Sequence, residues 1–206
     1  MSNYIAKKNG ILAWHFLPDD RRTAHGEKIG VAAGQTLKMK PPIELCRRGY
    51  HASIHALDAL LFASGAIVCR VKLYGTVIQD TDKAVATHRT CMWMADATRT
   101  LHEFAIWCAE QALESGRKCG YEPHMDSLKA LQVKRLWLDG NATDSELDAA
   151  RAAAWDAARD AAWAAARDAA RAAARDAAWA AAWAAYNDQL EQMLSRLEYQ
   201  ENPDHE

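Results

Sequence analysis

From Ala149 to Ala185 roughly two thirds of the positions are alanine, and the rest are only Trp, Arg and Asp. No glycine or proline occurs between Thr143 and Asn202. Such a stretch has one regular option, a helix. Alanine has the best helix propensity, and nothing in the run breaks the backbone ladder. Its start is marked by Thr143-Asp-Ser-Glu146, a capping box in which Thr143 and Glu146 satisfy each other's free amides. The acid-first pairs Asp148/Arg151, Asp156/Arg159 and Asp168/Arg171 each add a few tenths of a kcal/mol. One helix is therefore predicted over 143–199, on the order of 80 Å long at about 1.5 Å per residue, with 200–206 as a disordered tail.

Large residues recur every fourth position: Trp155, Arg159, Trp163, Arg167, Arg171, Arg175, Trp179 and Trp183. Each such step rotates about 40° past a full turn, so the row winds around the helix. A heptad would give a left-handed coiled coil and an undecad a right-handed one, and this spacing gives neither. On a straight helix Trp155, Trp163, Trp179 and Trp183 cover one broad side, and Arg167, Arg171 and Arg175 cover the opposite one. Exposed tryptophan favours association. The rod is expected to lie against its own domain, a second copy in a homo-oligomer, or a partner protein. The Asp residues cancel much of the Arg charge, and the chain's formal net charge is −2. Nucleic acid is therefore an unfavoured partner.

The remaining ~148 residues are long enough to bury a core of their own. No charge-free apolar run of about 18 residues is present, so no membrane span is expected. The first residues, Met-Ser-Asn-Tyr-Ile-Ala-Lys-Lys, lack the apolar segment of a signal peptide. The five cysteines include no C-x-x-C. Free thiols in a reducing cytoplasm are expected, with no metal and no cofactor. There is no G-x-S-x-G or P-loop, and Gly26, Gly30 and Gly34 do not fit a dinucleotide fingerprint.

The periodicity predicts an α+β fold: a small mixed or antiparallel β domain over 1–96, a helical segment packed on it over 97–142, then the long helix. Asn9-Gly10 between Tyr4–Lys7 and Ile11–Phe16 predicts a hairpin. Short strands are expected at Thr36–Lys40 and Ile43–Cys46. Ser53 is the expected cap of a helix over Ile54–Ala63. Ala66–Ile78 alternates as a strand, and Lys83–Trp93 is expected to be another. Helices are predicted over Ala97–Ser115, closed by Gly116, and over Ser127–Leu138, capped by Asp126.

The densest polar cluster is Cys46-Arg-Arg-Gly-Tyr-His51-Ala-Ser53-Ile-His55. Arg47, Arg48, Tyr50, His51 and His55 are the candidate ligand-binding residues, suited to a small anionic or nucleotide-type ligand. With Leu57-Asp-Ala-Leu60, Val71-Lys-Leu-Tyr-Gly75 and Asp82-Lys-Ala-Val-Ala86, the cluster resembles a family of uncharacterised phage and prophage domains. That family has a C-x-x-G-[FY]-H-A-[SC] core and Ala/Trp/Arg/Asp-rich terminal helices. The resemblance implies a phage accessory protein that acts by binding, for instance in counter-defence against a host protein or by sequestering a nucleotide signal in the host cytoplasm. A minor structural phage protein is a further reading. The same region is similar in layout to the rifampicin ADP-ribosyltransferases. That likeness implies an NAD-using enzyme with Tyr50 stacking on nicotinamide, His15 on the ribose and Asp82 as the acidic residue.

Overall fold

The structure, a computed structural model, describes residues 3–5, 10–24, 26–118, 120–153 and 175–201. Its strands are β1 (Asn3–Ile5), β2 (Ile11–Leu17), β3 (Thr36–Lys38), β4 (Tyr50–Ala52), β5 (Ile67–Gln79) and β6 (Ala84–Asp96). Its helices are α1 (Ala56–Leu61), α2 (Thr98–Lys118), α3 (Met125–Leu138) and α4 (Arg175–Glu201). The fold class is α+β, as the periodicity predicts.

The chain divides into two compact units, Met1–Thr100 with Tyr186–Glu206, and Leu101–Ala185. The last turns of α4 thus belong to the unit that carries the sheet.

The sheet is built on one long hairpin. β5 and β6, 13 residues each, pair antiparallel around a turn in which the Asp80 amide donates to the Lys83 carbonyl at 2.8 Å. Each edge of this hairpin carries an interrupted strand. β2 runs along Leu73–Ile67 of β5, and β1 continues the same edge against Gln79–Val77. β3 and β4 lie end to end along β6, against Thr90–His88 and Ala86–Ala84. Residues 6–9 of the hairpin expected at Asn9-Gly10 lie outside the described residues, and among the described ones the two flanks do not pair with each other. Both flanking segments pair with β5 instead, because a strand of that length offers each of them a register that a short local hairpin lacks.

Two bulges bend the β5–β6 hairpin: one leaves Met92 of β6 unpaired opposite Arg70/Val71, and the other lies on β5 between Tyr74 and Val77. At the second bulge Gly75 has φ +80, and a Cβ there would meet the Thr87 Oγ1 at 2.3 Å. The bend brings the two edges together. Trp14 of β2 and Ser53, just past β4, exchange two backbone hydrogen bonds of 2.7 and 2.9 Å. The curled sheet encloses Ala13, Leu17, Val71, Leu73, Val77 and Cys91. On another face Trp14, Arg70 and Trp93 stand in register across three strands. The two indoles meet edge to face at 5.9 Å, and the Arg70 guanidinium lies 4.4 Å from the Trp14 ring centre. Burial lowers the Arg70 pKa, and the carboxylates of Glu191 and Glu198 on α4 oppose that shift.

Ser53 does not cap α1, because its amide and carbonyl are both engaged by Trp14. The helix starts at Ala56, and its free amides are satisfied from far along the chain. Glu191 Oε1 accepts from the Ala56 amide and Asn187 Oδ1 from the Leu57 amide, each at 3.1 Å. Asn187 Nδ2 donates to Glu191 Oε1 at 3.0 Å. Leu190 and Leu194, on the same stretch of α4, are completely buried.

One expected strand and two helix ends also depart from expectation. Ile43–Cys46 forms no strand but part of a tight turn closed by Glu44 and Arg48. α2 passes through Gly116 and ends when Gly120, at φ +83, lets Tyr121 and Gly120 donate to the Gly116 and Arg117 carbonyls. α3 is capped by the His124 side chain, which accepts from the Asp126 amide, and not by Asp126.

The capping box forms as read. The Thr143 amide donates to Glu146 at 2.8 Å, and the Glu146 amide donates to Thr143 at 3.2 Å. Residues 144–153 are helical. Trp155, Trp163, Arg167 and Arg171 lie outside the described residues, as does 202–206. Arg175, Trp179 and Trp183 lie within α4. Among the described residues no helix is long and apolar enough to cross a membrane.

The capping of α1 by α4 gives a direct expectation. Asn187→Ala removes a capping acceptor and should destabilise the sheet unit by about 0.5–2 kcal/mol. Leu190→Ala should cost about 2–5 kcal/mol through the cavity it leaves. Urea denaturation of the full chain, followed by tryptophan fluorescence, measures both.

Candidate anion-binding site

A cavity of about 580 Å³ opens in the sheet unit. Three groups of residues shape it, and each is placed by a different constraint.

The first is the loop before β4. The Glu44 amide donates to the Arg48 carbonyl at 2.7 Å, and the Arg48 amide returns the bond at 2.9 Å. Cys46 takes φ +64 within this turn, and Gly49 takes φ +137 as the chain enters β4. A Cβ on Gly49 would lie 2.1 Å from Val85 Cγ2, so only glycine lets the loop approach β6 this closely. The result is a turn that carries Arg47 and Arg48 exposed at the cavity wall. Arg47 pairs with Glu44 at 3.4 Å in full solvent, an interaction worth little. Arg48 donates to the Pro42 carbonyl.

His51 holds this turn in shape. Its Nε2 accepts from the Cys46 amide at 2.9 Å, which leaves Nδ1 as the donor to the Gly49 carbonyl at 3.1 Å. Both ring nitrogens thus contact backbone. His51 lines the cavity, but as a strut of its wall.

The second group is Arg89 with Tyr50. Arg89 lies on β6 opposite Leu73 and Leu37 and is only 5% exposed. One guanidinium nitrogen, Nη1, donates to the His51 carbonyl at 2.8 Å. The guanidinium carbon is 5.6 Å from the Tyr50 ring centre. Among the described residues no carboxylate pairs with it. Burial lowers its pKa, and the neighbouring Cys69, Cys91 and Tyr50 only partly offset this. Removing an ion from water costs several kcal/mol even after relaxation, so a buried arginine ordinarily has a counter-ion. Here the guanidinium lines a cavity instead.

The third group is His15, on β2 opposite Cys69 and half-buried in the wall. Its ring makes no hydrogen bond to a described residue. Burial, then the Arg89 charge, then His51 hold its pKa well below the usual imidazole range, so it is neutral. Lys83 also reaches the wall, 4.6 Å from the Phe62 ring centre and 3.7 Å from Asp82. Glu27 is the one carboxylate among the described lining residues.

The structure thus gathers Arg47, Arg48, Tyr50 and His51 around one cavity, together with His15. It does not bring His55 or Asp82 to the wall. His55 lies at the start of α1, with Nδ1 3.3 Å from the Asn187 side chain. Asp82 sits in the β5–β6 turn beside Lys83. Of the three residues implied by the transferase likeness, only His15 and Tyr50 line the cavity. Sequence reasoning missed Arg89 and Lys83. The signal for Arg89 was an arginine two positions from Cys91 on a strand that also carries Ala84 and Ala86. Among the described residues no three His, Cys, Asp or Glu side chains converge on a metal position. No protein-family model, curated protein or solved structure matches the chain.

The neutral state of His15 has a consequence for stability. Its folded pKa is below the unfolded value, so the unfolded chain binds the proton more readily. Stability from this site is therefore complete above the ordinary histidine pKa of about 6.5 and falls as pH drops below it. The thermal midpoint of the wild type should fall more steeply between pH 6.5 and 5 than that of His15→Gln, measured by differential scanning calorimetry.

Proposed function

We propose that the sheet unit is a binding module for a small phosphate-bearing anion, and that the protein acts by holding this ligand. The observation that carries the reading is Arg89: a guanidinium 5% exposed, without a carboxylate partner among the described residues, lining a cavity of about 580 Å³. An anion in the cavity supplies the missing counter-charge, and buried charge-assisted hydrogen bonds are strong and geometrically specific. The volume falls within the roughly 300–1,000 Å³ of small-ligand sites. Arg47, Arg48 and Lys83 add positive potential at the wall, which favours capture of an anion. Tyr50 and Phe62 offer ring faces beside these charges, as a nucleotide needs.

The resemblance of the Cys46–Ser53 segment to phage domains supports reading such a module as one that acts in a host cytoplasm. There, sequestering a nucleotide signal would serve counter-defence. The transferase alternative receives less support, since it requires an acidic group at the reacting carbon and Asp82 is not at the wall.

The full chain, purified from a bacterial host and then denatured, should release a phosphate-bearing small molecule detectable by mass spectrometry. Arg89→Gln, with unchanged circular dichroism, should release none. Inorganic phosphate, AMP, ADP and NAD should be screened by thermal shift, because a ligand at 100 times its Kd stabilises by about 2.7 kcal/mol. If nothing is released and no probe raises the wild-type midpoint more than that of Arg89→Gln, the reading is wrong.

A further inference from the structure

We propose that the cavity selects a dianionic tetrahedral group, such as a terminal phosphate, with Arg89 supplying one positive charge and His15 taking up a proton on binding to supply the second. This rests on the anion-site reading above and narrows it to a ligand class.

The geometry pairs two groups with complementary needs. Arg89 is buried and brings a single fixed charge. A monoanion would neutralise it, whereas a dianion leaves one negative charge unbalanced in a desolvated site, at a cost of several kcal/mol. The wall's other cations do not fill that role as well. Arg47 and Arg48 are exposed, Arg47 already pairs with Glu44, and Lys83 already pairs with Asp82 at 3.7 Å. Charges in solvent are screened within about 8–10 Å.

His15 is the available donor. It lines the same cavity, and its ring has no hydrogen-bond partner among the described residues. His51 cannot substitute, since both its ring nitrogens contact backbone.

The groups facing His15 are known from each neighbouring strand. Arg89 of β6 and His51 of β4 act on it, Cys69 of β5 is its register partner, and Tyr50, Glu27, Arg47, Arg48 and Lys83 share the cavity wall. Burial, and after it the Arg89 charge, keep the imidazole neutral. A dianion between Arg89 and His15 reverses the local potential and favours the imidazolium, which becomes a second charged donor to the ligand. A terminal phosphomonoester carries a charge of about −1.5 to −2 near neutrality, and a diester carries one charge less. The site therefore discriminates a terminal phosphate from an internal phosphodiester.

Sulfate and methyl sulfate test this, because both are tetrahedral and keep charges of −2 and −1 across the working range. Isothermal titration of the full chain at pH 5.5 and 7.5, in buffers of differing ionisation enthalpy, is the measurement. Sulfate should bind about tenfold more tightly at the lower pH, the equivalent of one pKa unit of linkage, and should take up a proton. Methyl sulfate should bind more weakly and without that dependence. His15→Gln should still bind sulfate but with an affinity flat in pH, and His15→Asn serves if the glutamine variant misfolds. NMR of the His15 ring in the wild type should show protonation at higher pH with sulfate present than with methyl sulfate.

Sulfate binding that is lost in Arg89→Gln, but shows no proton uptake and leaves the His15 titration unmoved, overturns the dianion proposal while the anion site stands. Absence of binding by either probe, or equal binding in Arg89→Gln, overturns both.

Discussion

Every other strand of the sheet hydrogen-bonds to β5 or β6, and the site inherits its geometry from that hairpin. Two 13-residue strands supply edges long enough for two short strands apiece. A flat sheet of this kind would leave β2 and β4 on opposite edges. The bulges of the β5–β6 hairpin bend it until Trp14 and Ser53 bond. That closure sets His15 of β2, Tyr50 of β4 and Arg89 of β6 around one space, although they are widely separated along the chain. Closure also removes an exposed strand edge, which is otherwise prone to pairing with other chains.

The chemistry of the cavity follows from what this closure desolvates. Arg89 is held by a single backbone carbonyl and a tyrosine face. A buried polar network is favourable only when its members are satisfied, and this one is left with donors to spare. The neutral imidazole of His15 follows first from its burial, and then from the Arg89 charge that shares the same desolvated wall. The Cys46–His51 segment contributes differently. Its role is mostly architectural, with His51 bracing a turn that exposes Arg47 and Arg48.

Much of the chain was legible in the sequence, and the failures at Asn9-Gly10, Ser53 and Arg89 share one cause. β5 is plain from alternation over 67–78, and the capping box at Thr143 is a local pattern that the structure repeats bond for bond. The clustering of Arg47, Arg48, Tyr50 and His51 near one cavity followed from their adjacency. What could not be read depends on distant partners. Asn9-Gly10 signals a hairpin locally, but β5 outcompetes it. Ser53 has the chemistry of a cap, yet its backbone is claimed by Trp14. Arg70 and Arg89 look alike as single arginines within strands. One stacks on Trp14 near the carboxylates of α4, and the other faces the cavity, a difference fixed by the curl of the sheet and by α4.

The tail's relation to the site changes accordingly. As a sequence, the alanine-rich run is expected to lie against its own domain, a second copy or a partner protein. Its distal end is part of how the sheet unit is completed. Asn187 and Glu191 satisfy the first amides of α1, whose own sequence offers only His55 at the capping position, without a side-chain bond to the helix. α1 in turn presents Ala59 to the cavity, and Phe62 follows at its end. A six-residue helix has too few internal hydrogen bonds to hold itself, so its stability must come from packing and from its caps. The wall that carries Phe62 and faces Lys83 therefore depends on residues more than a hundred positions away. Any partner that pulled the end of α4 from the sheet unit would loosen α1 first, and with it one side of the binding cavity.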